Sequence, residues 1–380
     1  MKLSDFDYTL PKELIAQNAL SKRTEARLLI LNRESGAMEH HAFQDIVDYF
    51  EKGDVLVLND TKVLPARIFA KRKTGAKIEI LLLKQSDASC HPERSEGSKT
   101  EILRSLPAGR QGAQNDKLFH DDIWTALIKP SGRVRLGEEL IFSDDSTLVG
   151  TVLDSPDHQT GIRQIKFSAP KDVQSILSRI GHIPLPPYID RPDALIDREL
   201  YQTVFAKRPG AVASPTAGLH FDEELLRKIE AKGVEILFVT LHVSYGTFQP
   251  VASEDLTQHQ MYQEYFEISD ETAERINFAK ADGRRIIACG TTVVRTLESV
   301  ATNSIPSEVE AKQGITQLFI YPPYEFKIVD SMITNFHLPR TTLLMLTGAF
   351  CGYDFLMQAY LEAIEKKYRF YSYGDAMFIL

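Results

Sequence analysis

The apolar pattern of the chain changes twice, and this constrains the fold more than any other feature. Residues 55–58 form a continuous apolar run, as expected of a strand buried on both faces. Short alternating runs bounded by turn residues follow, and their spacing is typical of a small antiparallel barrel. After about residue 172 strands and helices alternate, which indicates a sheet with parallel strands covered on both faces. The sequence therefore predicts an α/β fold: a discontinuous domain of residues 1–64 and 168–380 with a mostly parallel sheet, and an inserted barrel of residues 65–167.

The individual elements follow from the same patterns. Barrel strands are predicted at 66–71, 77–83, 123–128, 139–142, 148–153 and 162–167. Residues 85–117 are polar and rich in glycine, proline and serine, which predicts an inserted, disordered loop. Outside the barrel, helices are predicted at 42–50, 222–232, 270–281, 292–301, 341–350 and 355–366, and strands at 55–58, 234–243, 285–289 and 318–321.

Charge and cysteine content restrict the class of protein. A net charge of −8 argues against a general nucleic-acid coat protein. The three cysteines have neither metal nor disulfide spacing, which favours a cytoplasmic protein with reduced thiols. The apolar runs are too short to cross a bilayer, so no membrane association is expected. A local excess of cations would suit a phosphate backbone, although charge alone favours a solvated strand face. The candidate cations for such contacts are Lys62, Arg67, Lys71, Arg72, Lys73 and Lys77.

Four polar segments stand where packing alone does not require polar residues: 214–221, 240–250, 288–298 and 334–340. The third runs from a predicted strand through Gly-Thr-Thr into a helix, which directs hydroxyls and backbone amides to one point. It matches neither a dinucleotide nor a nucleoside-triphosphate fingerprint. Arg295, one turn into that helix, suits an anion, or else a salt bridge to Glu298. A lone strand histidine such as His242 is more often a core residue than a catalyst.

In their order and spacing these segments closely resemble the S-adenosylmethionine:tRNA ribosyltransferase-isomerases of queuosine biosynthesis. The resemblance extends from Asp5 to Leu380, without the 85–117 insertion. It is carried by GDVLVLNDTKVLPAR (53–67), PLPPYI (184–189), YQT (201–203), PTAGLHF (215–221), segments 240–251, 290–299 and 334–339, and YRFYSYGDAM (368–377). The chain departs from the family pattern at Ser214, Ser244, Tyr245, Tyr262 and Pro323, and the Tyr262 departure leaves that position without an assigned catalytic role.

The resemblance implies transfer and isomerisation of the ribosyl group of S-adenosylmethionine onto 7-aminomethyl-7-deazaguanine at the tRNA wobble position. The product is epoxyqueuosine in tRNA, and adenine and methionine leave. The resemblance further implies a cytoplasmic monomer that holds no metal and no bound cofactor, with S-adenosylmethionine consumed as a substrate.

This chemistry requires a base near the sulfonium-activated ribose carbon, a proton donor for adenine and a cation for the methionine carboxylate. His220 or His242 is the first choice for acid–base work, and the wider catalytic set is His220, His242, His259, Glu264 and His337. The candidate substrate-binding residues are Asn59, Asp60, Thr216, Gly218, Gly246, Thr247, Thr291, Thr292, Arg295 and Asn335. All are expected to converge on one cleft at the carboxyl edge of the sheet.

Two other functions remain open from the residues alone. An S-adenosylmethionine-dependent RNA methyltransferase would need a glycine-rich loop after an early strand, but Asn-Asp-Thr-Lys follows residues 55–58. A non-catalytic RNA-binding module would explain the basic barrel strands but not the polar segments of the α/β part.

Overall fold

A computed structural model describes residues 1–85, 120–153, 161–170, 172–248, 251 and 253–380. The chain divides into two compact units, one of residues 1–64 with 183–380 and one of residues 65–182. Apart from Gln85, the loop predicted at 85–117 lies outside the described residues.

The first 64 residues supply the opening strands of the α/β unit. The strand predicted from residues 55–58 is fully buried along its length, as a strand at the centre of a covered sheet must be. The helical spacing of 42–50 produces a 3₁₀ helix, Phe43–Tyr49, rather than an α-helix. The strands of this part are β1 (Arg27–Leu31), β2 (Met38–Ala42), β3 (Val55–Asn59) and β4 (Thr61–Val63).

Residues 65–182 form the predicted barrel, in which every neighbouring pair of strands is antiparallel. Its strands are β5 (Arg67–Arg72), β6 (Lys77–Gln85), β7 (His120–Lys129), β8 (Glu139–Phe142), β9 (Val149–Val152) and β10 (Ile162–Ala169). They close in the order β10-β7-β6-β5-β8-β9. Helix α1 (Val173–Ile180) packs against β7 and β10 through its buried apolar face. This unit therefore ends at residue 182, whereas the predicted boundary at 168 assigned the helix to the α/β domain.

The remaining residues complete the α/β unit. Polar side chains cap several of its helices: Asp222, Ser269 and Thr341 each accept a backbone N–H of the first turn, which explains why those helices begin close to their predicted starts. The elements are α2 (Asp197–Leu200), β11 (Arg208–Ala211), α3 (Glu223–Ala231), β12 (Glu235–Leu241), β13 (Glu264–Ile268), α4 (Asp270–Ala281), β14 (Ile286–Cys289), α5 (Thr291–Ser299), β15 (Lys312–Thr316), β16 (Ser331–Asn335), α6 (Thr342–Cys351), α7 (Tyr353–Glu365) and β17 (Ala376–Ile379).

The nine-stranded sheet has the order β15-β13-β12-β3-β14-β16-β17-β1-β2. Strands β12, β3, β14 and β16 are mutually parallel and form its centre. Antiparallel pairs predominate outside that centre, so the sheet is mixed, and β4 pairs separately with β11. The predicted α/β class with an inserted barrel is confirmed. Since the central strands are parallel, their carboxyl ends meet at one edge of the sheet.

The strand predicted at 318–321 is wrong, because the strand in this region is β15, at Lys312–Thr316. Strand β15 pairs with β13 through its backbone although much of it is exposed, so it carries little apolar signal. The more apolar residues of 318–321, such as Leu318 and Phe319, instead pack against the hydrophobic core without pairing.

Backbone packing inside the barrel unit gives a test of the fold. A Cβ atom on Gly181 would lie 1.9 Å from the carbonyl oxygen of Pro65. We expect Gly181→Ala to lower the free energy of unfolding of this unit by about 1–3 kcal/mol, because backbone must move to admit the methyl group. Urea unfolding followed by the fluorescence of Trp124, the single tryptophan of the chain, measures this in the barrel itself.

Gly132→Ala is the matched control, because a Cβ atom at Gly132 meets no atom within 4 Å. Its transition should coincide with that of the wild type. Equal transitions for both variants would contradict the close packing described for Gly181.

Candidate active site

A cleft lies at the carboxyl edge of the central strands. Its walls come from residues that follow β11, β12, β14 and β16 and from the segment before β17. Of the predicted site residues, the cleft brings together Thr216, Thr291, Thr292, Arg295, Asn335 and His337.

The N-terminus of α5 opens into this cleft. Gly290 turns the chain from β14 into α5 with φ of 93°, a conformation that favours glycine. Thr291 and Thr292 then begin the helix and line the cleft. The first backbone N–H groups of a helix have no partner within it, so this end of α5 offers donors and a partial positive charge to a ligand.

Asn59 fixes the strand ends beside the helix without lining the cleft. Its Oδ1 accepts the N–H of Leu241 and of Thr61 at 3.1 Å each, and its Nδ2 donates to the Leu241 carbonyl at 3.0 Å. The same Nδ2 donates to Thr292 Oγ1 at 3.3 Å. Asn59 thus holds β3, β12 and α5 in register at the edge of the cleft.

Arg295 is held by a buried ion pair. It and Glu264 are 5% and 3% exposed. Arg295 Nη1 donates to Glu264 Oε2, and Nε donates to the Leu318 carbonyl at 3.0 Å. Glu264 Oε1 accepts the N–H of Ser244 at 3.0 Å. The alternative salt bridge to Glu298 is not formed, because Glu298 accepts the backbone N–H groups of residues 327–329 instead.

His337 lines the cleft and is uncharged near neutral pH. Its Nε2 is 3.0 Å from Thr334 Oγ1, and its backbone N–H donates to Tyr360 Oη at 2.8 Å. Burial lowers the pKa of His337 to about 3. A neutral imidazole can accept a proton or donate one hydrogen bond, but it brings no positive charge to the site.

His220 reaches the cleft through Asn335 rather than directly. Asn335 Nδ2 donates to His220 Nε2 at 3.1 Å, and Thr216 Oγ1 donates to Asn335 Oδ1 at 3.1 Å. The His220 ring lies 4.9 Å from the ring of Phe43. Burial, with smaller contributions from two nearby arginines, lowers the pKa of His220 to about 3. His220 therefore positions Asn335, which lines the cleft.

The structure does not bring His242 into the walls of this cleft. Its Nδ1 is 2.7 Å from Thr61 Oγ1, and its ring stacks on Tyr265 with centroids 5.4 Å apart. Burial lowers the pKa of His242, and the carboxylates of Asp60 and Glu267 oppose that effect. Asp60 also lies outside the cleft, where it accepts a hydrogen bond from Thr240 at 2.6 Å.

The comparisons with known proteins agree with this architecture. The model of the family described as queuosine biosynthesis protein matches residues 3–379. The S-adenosylmethionine:tRNA ribosyltransferase-isomerase of Sulfurihydrogenibium sp. (strain YO3AOP1) is 47% identical over 381 residues, with all of both chains covered. The chain belongs to the queuosine biosynthesis family. A solved structure, the S-adenosylmethionine tRNA ribosyltransferase of Thermotoga maritima, matches with a TM-score of 0.51 and 36% identity over 99% of this chain and 100% of that one.

The family prediction is thereby confirmed, and with it the prediction that the chain is a transferase acting in queuosine biosynthesis. Within the described ranges no helix has the length and apolar character needed to span a membrane. Among the same residues, no group of three or more His, Cys, Asp or Glu side chains is placed to hold a metal ion.

Other predicted site residues have packing roles in the structure. His259 lies against Phe319, with ring centroids 5.0 Å apart. A Cβ atom on Gly218 would lie 2.8 Å from the Phe205 ring, and one on Gly246 would lie 2.0 Å from Cγ of Tyr262. These two glycines therefore admit neighbouring side chains rather than a ligand. The side chain of Thr247 lies outside what the structure describes.

Sequence reasoning missed part of the cleft wall, formed by Tyr188, Tyr201, Ser214, Tyr371 and Ser372. Tyr371 has φ of 75°, which is unusual for a bulky residue and is a form of strain associated with functional sites. Ser214 lies in the polar segment 214–221, and the other four residues lie in stretches that carry the family resemblance. The resemblance itself was therefore the signal that could have identified them.

Ion pairs occupy several of the predicted tRNA-binding cations in the barrel unit. Arg67 lies 3.2 Å from Glu79, and Arg72 makes a bidentate contact with Glu138 at 2.5 and 3.0 Å. Lys73 lies 2.8 Å from Glu139. The exposed residues Lys71 and Lys77 face each other across β5 and β6, and Lys62 is exposed in the α/β unit.

The low pKa values of His220 and His337 give a prediction about stability. In the unfolded chain the pKa of both rings is about 6.5. Between about pH 3 and 6.5 the unfolded state therefore binds protons that the folded state excludes. The stability due to the neutral rings is complete above that interval and falls as the pH decreases, by up to about 1.4 kcal/mol per pH unit for each histidine.

Urea unfolding followed by far-ultraviolet circular dichroism between pH 5 and 7 measures this dependence. His337→Gln should show a smaller loss of unfolding free energy across that range than the wild type, whatever its stability at pH 7. Parallel pH profiles for the two proteins would show that His337 is not held neutral.

Proposed function

We propose that this chain transfers and isomerises the ribosyl group of S-adenosylmethionine onto 7-aminomethyl-7-deazaguanine at the tRNA wobble position. The product is epoxyqueuosine-tRNA, with release of adenine and methionine. The proposal is supported by the convergence of three groups on one cleft: the buried guanidinium of Arg295, the N-terminus of α5 and the neutral imidazole of His337. S-adenosylmethionine is consumed as a substrate, and the absence of a bound cofactor, the monomeric state and the cytoplasmic location stay predictions.

In this proposal the anionic and hydroxyl-bearing parts of the donor bind at the start of α5. The methionine carboxylate needs a cation or a helix N-terminus, and Arg295 and Thr291 provide both in one wall. Glu264 acts as a positioning residue through its ion pair with Arg295, not as the acid or base first expected. Asn59 and His220 likewise act through Thr292 and Asn335.

Proton transfer is assigned to His337, because it is the histidine of the candidate set that lines the cleft. The sulfonium acidifies the neighbouring ribose carbon, and the base that removes this proton must be unprotonated beforehand. His337 meets that condition, and its Thr334 contact fixes the orientation of the ring.

For the tRNA partner, we propose that Lys71 and Lys77 contact phosphates, since neither side chain is engaged in an ion pair in the described part of the barrel.

A reaction with precursor-bearing tRNA tests the proposed function. The purified chain, S-adenosylmethionine and tRNA carrying 7-aminomethyl-7-deazaguanine should yield epoxyqueuosine on nucleoside mass analysis, with stoichiometric free adenine. The control is the same tRNA with guanine at the wobble position, which should yield neither. S-adenosylhomocysteine in place of adenine would identify a methyltransferase, and tRNA binding without turnover would identify a binding module.

Substitution of His337 and of His242 should affect the rate of single-turnover transfer differently. His337→Ala should slow the chemical step about 10²–10⁴-fold, the usual contribution of a positioned acid–base group. His242→Gln should remain within a few-fold of the wild type, because its contacts lie outside the cleft. The reverse order of rates would move the acid–base role to His242.

A further inference from the structure

Within the part of the chain that the structure describes, two polar groups of the cleft lack hydrogen-bond partners. Ser214 and Arg295 are each 5% exposed, and both line the cleft. Among the described residues, neither Ser214 Oγ nor Arg295 Nη2 has a hydrogen-bond partner. Buried polar groups are rarely left unsatisfied, because each loses its water without replacing it. An unpartnered buried donor in a cleft is therefore best explained by a ligand that supplies the acceptor.

The neighbouring contacts hold both groups in place. The other two nitrogens of the Arg295 guanidinium bond to Leu318 and Glu264, so Nη2 is the one left for a ligand. Ser214 follows β11, and the nearby Val212 N–H donates to the Val243 carbonyl at 3.1 Å. The backbone that carries Ser214 is therefore tied to the end of β12. The guanidinium and the backbone of Ser214 are therefore held in position before a ligand binds, which reduces the entropy lost on binding.

We infer that Ser214 Oγ and Arg295 Nη2 together bind the carboxylate of the methionine portion of S-adenosylmethionine. This inference rests on the proposed function and adds a specificity residue, Ser214, to it. A guanidinium and a hydroxyl are both donors, and a carboxylate is an acceptor with two oxygens, so the groups match. Glu264 already balances the charge of Arg295, and the N-terminus of α5 supplies further positive potential in the same cleft.

The Ser214→Ala variant distinguishes a role in ligand binding from a structural role. It should raise the thermal stability of the free protein and weaken the affinity for S-adenosylmethionine. Removing an unsatisfied hydroxyl should raise the thermal midpoint of the free protein by about 2 °C. Losing a hydrogen bond to a charged group should raise the Kd for S-adenosylmethionine about tenfold. Differential scanning calorimetry and isothermal titration without tRNA measure the two effects.

Thr203→Val is the matched control. Thr203 is also 5% exposed with an unpartnered hydroxyl among the described residues, but it does not line the cleft. Valine keeps the methyl group that packs near Gly218. This variant should gain thermal stability as Ser214→Ala does, with the Kd for S-adenosylmethionine unchanged.

Decarboxylated S-adenosylmethionine identifies the group that is bound. The wild type should bind it at least tenfold more weakly than S-adenosylmethionine, and Ser214→Ala and Arg295→Lys should each reduce that ratio. A loss of affinity in Ser214→Ala that is equal for both ligands would overturn the assignment to the carboxylate. An unchanged Kd in Ser214→Ala would overturn the role of Ser214 altogether. Neither result depends on tRNA, whereas the proposed function fails separately if the wild type releases no adenine from S-adenosylmethionine and precursor-bearing tRNA.

Discussion

The parallel register of β12, β3, β14 and β16 is the constraint on which the site depends. It brings their carboxyl ends to one edge, and the residues that follow β12, β14 and β16 line the cleft. In the opposite orientation any one of these strands would carry its polar segment to the far edge of the sheet. Asn59 reinforces the register by bonding to both the N–H and the carbonyl of Leu241 at the end of β12. A single buried amide thus connects the backbone topology to the start of α5.

The electrostatics of the cleft follow from burial more than from net charge. Two histidines are held neutral by desolvation, and the arginine in the wall is paired with a carboxylate. Burying such a pair is costly, and losing one partner typically destabilises a protein by about 3–5 kcal/mol. The pair therefore fixes the geometry of Arg295 rather than adding positive potential. The free positive end of α5 then becomes the main attraction for an anion at this site.

Much of the fold could be predicted from sequence because its signals are local. Side-chain caps mark the helix starts, and continuous or alternating apolar runs mark the central and barrel strands. The errors include β15, whose pairing is not accompanied by burial, and α1, which joins the barrel unit through tertiary packing. The buried strands β1, β16 and β17 were not predicted either. The four polar segments that contribute to the cleft were also identifiable, because each follows a predicted strand or precedes a predicted helix.

Individual side chains within those segments were harder to place, for a geometric reason. Successive residues of an extended chain point to opposite sides, so Val243 lines the cleft while His242 stacks on Tyr265. Residue type favoured His242 as a site residue, but the alternation of side chains along the extended chain directs it away from the cleft. Ser214 shows the converse, because a small hydroxyl carries little signal in sequence and becomes informative only when burial leaves it without a partner. In this cleft, groups that bind a ligand are therefore better identified from unsatisfied polar atoms than from residue type alone.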